Sequence, residues 1–139
     1  MVYSKEALLR RIEKLREYRH DIKENSGVSF EQYLRDRRIK YSVERLLFLI
    51  IGNILDFLDH ILSSRFEIIS ESYEDIIENA YKKSLLEEPL YSKLKGLGGF
   101  RNILAHEYLY LSDEEVFKNF IKMLGVIDEV IESFEILIK

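Results

Sequence analysis

Residues 43–62 read VERLLFLIIGNILDFLDHIL and are the most apolar part of the chain. A helix drawn through them is apolar on most sides, which indicates burial from more than one direction. Gly52, Asn53 and Asp56 interrupt the run, and its unbroken apolar part is shorter than the roughly 18 residues that a membrane span needs. We therefore expect this stretch to be the central, buried helix of a helical bundle.

Helical periodicity continues on both sides of the central stretch, and no segment with a period of two residues is long enough to predict a strand. Residues that typically begin helices recur along the chain: Ser4, Ser29 with Gln32, Ser72 with Asp75, Pro89, and Ser112 with Glu115. The second predicted helix runs to about Ser64, with a candidate break near Asp36. The fourth runs from Pro89 toward His106. The pattern predicts an all-α fold, an up-down bundle of about five helices, in a single domain that covers residues 1–139.

Three glycines, Gly96, Gly98 and Gly99, precede Phe100 inside the fourth predicted helix. In a helix interior each glycine costs about 1 kcal/mol relative to alanine. Glycine is favoured where a helix breaks, or where another backbone or a substrate approaches closely. We expect one of these reasons to apply here.

The composition is 47% hydrophobic and 33% charged, with a mean hydropathy of −0.16, which is typical of a soluble domain with one core. The chain has no cysteine, which excludes disulfides, thiolate metal sites and a thiol nucleophile. The first residues begin a charged helix at once and lack the layout of an export signal, so we expect a cytoplasmic protein. A net charge of −4 argues against a protein that coats nucleic acid regardless of sequence.

One local cluster of positive charge lies near the start of the central helix: Arg35, Arg37, Arg38, Lys40 and Arg45. Such a run is more often a solvated helix face than a track for phosphate groups. Both interpretations stay open.

Asp56 and His60 have the four-residue spacing of a helical side-chain pair. Two ligands make a poor metal site, so we favour a polar contact within the bundle or a dimer. Four tyrosines are candidates for stacking on RNA bases but are also typical of half-buried boundary positions, and we assign them no function: Tyr73, Tyr81, Tyr91 and Tyr110.

The stretch that carries chemistry is residues 101–108, RNILAHEY. Near neutral pH an imidazole such as that of His106 can take the proton from a ribose 2′-hydroxyl, and the guanidinium of Arg101 can hold the phosphate. The 2′-oxygen would then attack the adjacent phosphorus without a metal ion. Only RNA carries this hydroxyl, so DNA would be inert.

The spacing of these residues is awkward for a single helix. Arg101 and His106 are five residues apart and point roughly 140° away from each other. Asn102 faces His106, and Tyr108 lies on the same stripe as Arg101. Either the helix ends or bends before His106, or a symmetric dimer brings the arginine of one chain near the histidine of the other; we prefer the dimer. Taken alone, the spacing also fits a structural role in which Arg101 pairs with Glu107 or caps a carbonyl.

Residues 101–108 resemble the Arg-x4-His-x-Tyr motif of the HepT toxins, a branch of the HEPN superfamily. Other segments are similar to that family in order and spacing: Gly98-Gly99-Phe100, Ser112-Asp113-Glu114-Glu115, and Tyr41-Ser-Val-Glu-Arg45 with Asp56 and His60. The resemblance covers most of the chain.

The resemblance implies an all-α bundle, a homodimer with the motif at a cleft between subunits, and metal-independent cleavage of RNA without a cofactor. It carries over Arg101 and His106 as catalytic residues, and we expect Asn102 to orient His106. In this family the partner is a minimal nucleotidyltransferase, the MNT antitoxin, which neutralises the toxin by adenylylating the motif tyrosine. Tyr108 is the matching residue. The charge and bulk of that adduct would oppose an RNA phosphate in the cleft.

A second interpretation belongs to a different class of function. Because HEPN domains are not all nucleases, the chain is on this interpretation a non-catalytic helical partner that holds a nucleotidyltransferase and presents Tyr108 to it. The behaviour of Arg101→Ala and His106→Ala toward RNA separates the two interpretations.

Overall fold

The computed structural model describes residues 2–106 and 108–139, of which Tyr108 is described by its backbone alone. These residues contain seven α-helices, one 3-10 helix and no strand: α1 Lys5–Lys23, α2 Phe30–Arg35, α3 Arg37–Phe66, α4 Tyr73–Lys82, α5 Glu88–Leu94, α6 Leu97–His106, the 3-10 helix Tyr108–Tyr110, and α7 Asp113–Leu137. The predicted all-α fold is confirmed.

Four of the predicted helix starts carry a hydrogen bond from the side chain that caps them. The hydroxyls of Ser4, Ser29, Ser72 and Ser112 each accept from the backbone N–H three residues further along the chain. Each bond satisfies one of the N–H groups that a helix leaves unpaired at its first turn. The sequence therefore located these starts by a local interaction that does not depend on the rest of the fold.

Two of the five predicted helices are each divided in two. Asp36 ends α2 and begins α3, with an extended backbone and a carboxylate that accepts from the N–H of Arg38. Gly96 separates α5 from α6 with a φ of +95°, a conformation that residues with a Cβ rarely adopt. The first break lies at the candidate position near Asp36, and the second uses one of the three glycines.

Helix α3 lies at the centre of the bundle and packs against α1, α2, α4, α6 and α7. Phe57 of α3 stacks on Phe134 of α7, with ring centroids 3.8 Å apart, and both side chains are fully buried. Burying a side chain of this size contributes about 1.5–3 kcal/mol. By length and composition α3 would suffice to cross a membrane, but 56% of its most apolar stretch is buried inside the bundle. It is the central helix that the sequence predicted.

Asp56 and His60 both connect α3 to the first helix, and they do so through separate partners. Asp56 lies 3.3 Å from the guanidinium of Arg11, while Nε2 of His60 accepts a hydrogen bond of 3.0 Å from the backbone N–H of Ser4. Both residues therefore make polar contacts within the bundle, as predicted, although they do not pair with each other.

Acidification should weaken the fold through His60. Burial, and to a lesser degree the charge of Arg11, lowers the pKa of His60 below the ordinary value of 6.5. The unfolded chain then binds this proton at a higher pH than the folded chain, so the free energy of unfolding falls as the pH drops below that ordinary value and is unaffected above it. Protonation also removes the lone pair that accepts from Ser4. We expect urea titrations between about pH 7 and pH 5 to show this loss, and to show a smaller one for His60→Gln.

His20→Gln is the matched control, because it removes an exposed histidine of α1 and leaves the contact between His60 and Ser4 intact. It should retain the pH dependence of the parent. If His60→Gln loses as much stability on acidification as the parent does, His60 is not the group responsible.

Candidate functional site

The start of α6 is held by a carboxylate from α4. Glu74 accepts hydrogen bonds from the backbone N–H groups of Gly96 at 2.7 Å, of Gly98 at 3.0 Å and of Gly99 at 3.4 Å. A helix start carries unpaired N–H groups and a partial positive charge, so an anionic side chain is favourable there. The sequence analysis did not identify Glu74, because its partner lies more than twenty residues away and on another helix.

Gly98 allows the backbone of α4 to lie directly against α6. A Cβ added at this position would come 2.6 Å from the carbonyl carbon of Tyr73 and 2.7 Å from Cα of Glu74. Atoms this close would have to move apart, and backbone atoms cannot do so without displacing a helix. Of the reasons predicted for the glycine run, a helix break therefore applies at Gly96 and a close backbone approach at Gly98.

This contact places an aromatic ring beside the candidate catalytic arginine. The guanidinium carbon of Arg101 lies 4.3 Å from the ring centre of Tyr73 on α4 and 5.0 Å from that of Phe48 on α3. Both distances are within the range of cation–π attraction. The arginine of α6 is thus held by one ring from each of the two helices that flank it.

Arg101 has no carboxylate partner among the described residues, and its buried Nε has no hydrogen-bond partner there either. The alternative pairing with Glu107 concerns a residue outside the described part of the chain. An arginine held by aromatic faces keeps its charge and its remaining donors for an anion, whereas a carboxylate partner would occupy both.

Arg101 and His106 line the same groove between α3 and α6, which has a volume of about 500 Å³. Its lining residues are Tyr41, Glu44, Arg45, Phe48, Arg101, Leu104, Ala105 and His106. Helix α6 ends at His106, whose side chain is exposed. The angular separation of the two residues therefore does not place them in different pockets of one chain. A dimeric cleft involves a second chain and stays a prediction.

Asn102 lies outside this groove and lines a separate depression with residues of α3, α4 and the segment before α4. No hydrogen bond between the described residues joins its amide to His106. Its orienting role stays a prediction. The side chain of Tyr108, the predicted modification site, is outside the described part of the structure, although its backbone begins the 3-10 helix that follows α6.

The other tyrosines differ in their surroundings. Tyr73, which received no function in the sequence analysis, contacts Arg101 and so belongs to the site. Tyr81 and Tyr91 stack on each other at 4.1 Å. A hydrogen bond from Tyr91 to Glu78 raises the pKa of Tyr91 to about 12. Tyr110 is exposed.

Comparisons with known proteins agree with this fold. The family model described as ribonuclease HepT-like matches residues 8–134. A curated protein called tRNA nuclease HepT, from Aphanizomenon flos-aquae (strain 2012/KM1/D3), is 32% identical over 108 residues, which are 77% of this chain and 73% of that protein.

Two solved structures have the same fold at low sequence identity. One is a tri-AMPylated HEPN toxin of Shewanella oneidensis in complex with its MNT antitoxin, with a TM-score of 0.79, 23% identity, and coverage of 92% of this chain and 96% of that chain. The other is YutE of Bacillus subtilis, a cytosolic protein of unknown function, with a TM-score of 0.80, 17% identity, and coverage of 97% and 91%. At these identities the likeness concerns the fold.

Gly98→Ala should destabilise the protein, because the added Cβ collides with the backbone of α4. Overpacking of this kind costs about 1–3 kcal/mol. Gly99→Ala is the matched control, since a Cβ at Gly99 meets nothing within 4 Å, and alanine in a helix is about 0.5–1 kcal/mol more favourable than glycine. Urea denaturation of both variants measures the difference. Equal stabilities would show that α4 and α6 are not in close contact at Gly98.

Proposed function

This chain belongs to the ribonuclease HepT-like family, and we propose that it is an endoribonuclease in which His106 is the general base and Arg101 holds the scissile phosphate. The observation that carries the proposal is the state of Arg101. Its guanidinium is fixed between Phe48 and Tyr73, has no carboxylate partner among the described residues, and lines one groove with His106. The name of the Aphanizomenon relative, a tRNA nuclease, supports RNA as the substrate.

The proposed reaction uses only side chains and the RNA itself. The neutral imidazole of His106 removes the proton of a ribose 2′-hydroxyl, and the 2′-oxygen forms a bond to the adjacent phosphorus. The bond from phosphorus to the 5′-oxygen of the next nucleotide breaks, and this oxygen takes up a proton from water; the hydroxide so formed accepts the proton held by His106. The products are a 2′,3′-cyclic phosphate and a free 5′-hydroxyl, and no metal ion or cofactor takes part.

Arg101 stabilises the charge that develops on the phosphate oxygens in this reaction. A donor whose orientation is fixed before the substrate binds does not have to reorganise in the transition state. The two rings provide this fixed orientation without neutralising the guanidinium. General base catalysis by itself contributes a factor of about 10²–10⁴, so both residues are needed for an appreciable rate.

A homodimer is part of the proposal, because described side chains at the end of α6 and in the 3-10 helix are exposed. His106 is exposed, and the 3-10 helix beyond it presents Leu109 and Tyr110 with 94% and 81% of their surface accessible. Large apolar side chains that are this exposed next to a groove are typical of an interaction surface. A second copy related by two-fold symmetry would cover them and add its own groove to the same cleft.

The partner and the regulation of the site are also proposed. The Shewanella toxin with the same fold is AMPylated and bound to an MNT antitoxin, which supports an equivalent nucleotidyltransferase antitoxin for this chain, acting in the cytoplasm on Tyr108. An adenylyl group on Tyr108 would add a phosphate close to the end of α6. The negative charge of that group would compete with the RNA phosphate for Arg101, and its bulk would oppose binding of the RNA.

Arg101→Ala and His106→Ala should each lower the rate of RNA cleavage by at least about 10²-fold, because each removes one of the two groups that the reaction needs. The measurement is cleavage of a labelled RNA by the purified protein in the presence of EDTA, with the DNA of the same sequence as a substrate that should stay intact. Arg16→Ala and His20→Ala remove the same residue types from α1, outside the groove, and should leave the rate unchanged.

The nuclease proposal fails if the purified parent never cuts RNA and if Arg101→Ala and His106→Ala arrest the growth of cells to the same extent as the parent. The non-catalytic interpretation, in which the chain presents Tyr108 to a nucleotidyltransferase, would then be the better one. If cleavage occurs only after addition of a divalent cation, the reaction needs a metal ion and the proposed mechanism is wrong on that point.

Tyr108→Phe should prevent adenylylation, because phenylalanine has no hydroxyl to accept the adenylyl group. The parent, incubated with the nucleotidyltransferase partner and ATP, should gain the mass of adenylate and lose RNA cleavage. Tyr110→Phe is the control two residues further on and should still be modified. If Tyr108→Phe is still modified and neutralised, another residue is the acceptor.

A further inference from the structure

Three arginines in the first half of α3 have no carboxylate partner among the described residues, although the chain as a whole is acidic. They are Arg37, Arg38 and Arg45, and all three side chains are exposed. Two other members of the predicted basic cluster are paired, Arg35 with Glu31 at 3.4 Å and Lys40 with Asp113 at 2.9 Å. The cluster is therefore not uniform, and its unpaired charges are confined to α3.

These arginines lie on the side of α3 that forms the groove. Arg45 itself lines the groove, and Arg38 is seven residues before it, so the two share one stripe of the helix. Arg37 precedes Tyr41 by four residues and Phe48 by eleven, which places it on the groove stripe as well. Along the helix axis Arg37 and Phe48 are about 16 Å apart. The charges thus extend from the candidate active site to the start of α3.

The break between α2 and α3 makes the outer end of this stripe concave. A pocket of about 590 Å³ lies there and is lined by Gln32, Arg35, Asp36, Arg37, Arg38 and Ile39. The one carboxylate among these residues, that of Asp36, already accepts a hydrogen bond from the backbone N–H of Arg38 as the cap of α3. The pocket therefore presents guanidinium groups to solvent.

An exposed aromatic ring lies on α3 between Arg38 and Arg45. Tyr41 has 55% of its surface accessible and lines the groove next to Arg45. Positive charges that follow a backbone, with an aromatic side chain on which a base can stack, are the combination that binds single-stranded nucleic acid. Exposed apolar side chains that would suit a protein partner lie elsewhere, at Leu109 and Tyr110.

We propose that Arg37, Arg38, Tyr41 and Arg45 form a binding track for single-stranded RNA, which leads from the α2–α3 break to the phosphate held by Arg101. The track rests on the proposed function for its substrate but binds RNA independently of cleavage. Each arginine neutralises one backbone phosphate, and a base stacks on Tyr41. The substrate is accordingly an unpaired segment of RNA at least several nucleotides long.

The test is the binding of a short fluorescent single-stranded RNA to the full chain, measured by anisotropy at several salt concentrations. All proteins carry His106→Ala, so that the RNA stays intact. Removing three phosphate contacts in Arg37→Gln/Arg38→Gln/Arg45→Gln should reduce the slope of log affinity against log salt by about 2, because each contact with a single strand contributes roughly 0.7. Tyr41→Leu should weaken binding by about fivefold or more, and Tyr41→Phe should not.

Lys40→Gln and Arg16→Gln are the matched controls, because each removes one positive charge that is already paired with a carboxylate. Both should keep the salt slope of the parent. The four track residues are exposed, so their variants should unfold at the same temperature as the parent. Thermal denaturation measures this.

A triple arginine variant with the same salt slope and affinity as the parent would overturn the proposal. It would equally be overturned if that variant bound RNA normally and lost only the nucleotidyltransferase partner, since the arginines would then belong to a protein interface. If the parent with His106 intact never cleaves RNA, while the His106→Ala proteins bind RNA through the track, the endoribonuclease function is refuted and the track stays in place. If the parent cleaves RNA but the triple arginine variant keeps the salt slope of the parent, the track is refuted and the endoribonuclease function stays in place.

Discussion

The backbone of α4 lies so close to Gly98 that no side chain would fit between them, and the arrangement of the site depends on this contact. It brings the carboxylate of Glu74 onto the first N–H groups of α6 and the ring of Tyr73 onto the guanidinium of Arg101. Helix α6 also packs on α3, which supplies Phe48. A displacement of α6 by even one methyl group would disturb both the helix cap and the rings around the arginine.

The manner in which Arg101 is held matters for what it can do. An ion pair would fix a guanidinium as firmly as two rings do, but it would also occupy the donors that a phosphate needs. Aromatic faces attract the cation while leaving its in-plane N–H groups free. The basic cluster shows the same difference between paired and unpaired cations. Lys40 joins α3 to α7 through an ion pair with Asp113, whereas Arg45 lies beside the ring of Phe48 without an ion pair to any described residue. Within this cluster, the positive charges that stay unpaired among the described residues are those of Arg37, Arg38 and Arg45.

Much of the fold was predictable because its causes are local. The hydroxyls of Ser4 and Ser72 cap helices through residues three positions away, and a helix drawn through residues 43–62 is apolar on most sides, which predicts its burial. The motif residues Arg101 and His106 were identified from their chemistry and their resemblance to a family. That the two residues line one groove was not predictable, because an ideal helical wheel describes one helix only. The groove also needs side chains of α3, which pack beside α6.

By itself the sequence determined an all-α chain, the helix starts and the central helix, and it identified Arg101 and His106 as candidate site residues. Capping, periodicity and side-chain chemistry act over a few residues, so they can be read along the chain. Only the tertiary structure decided that Glu74 caps α6, that Gly98 and not Gly99 is the glycine under constraint, and that Tyr73 and Phe48 hold Arg101. Each of these contacts joins segments more than twenty residues apart, and their distances are set by how three helices pack.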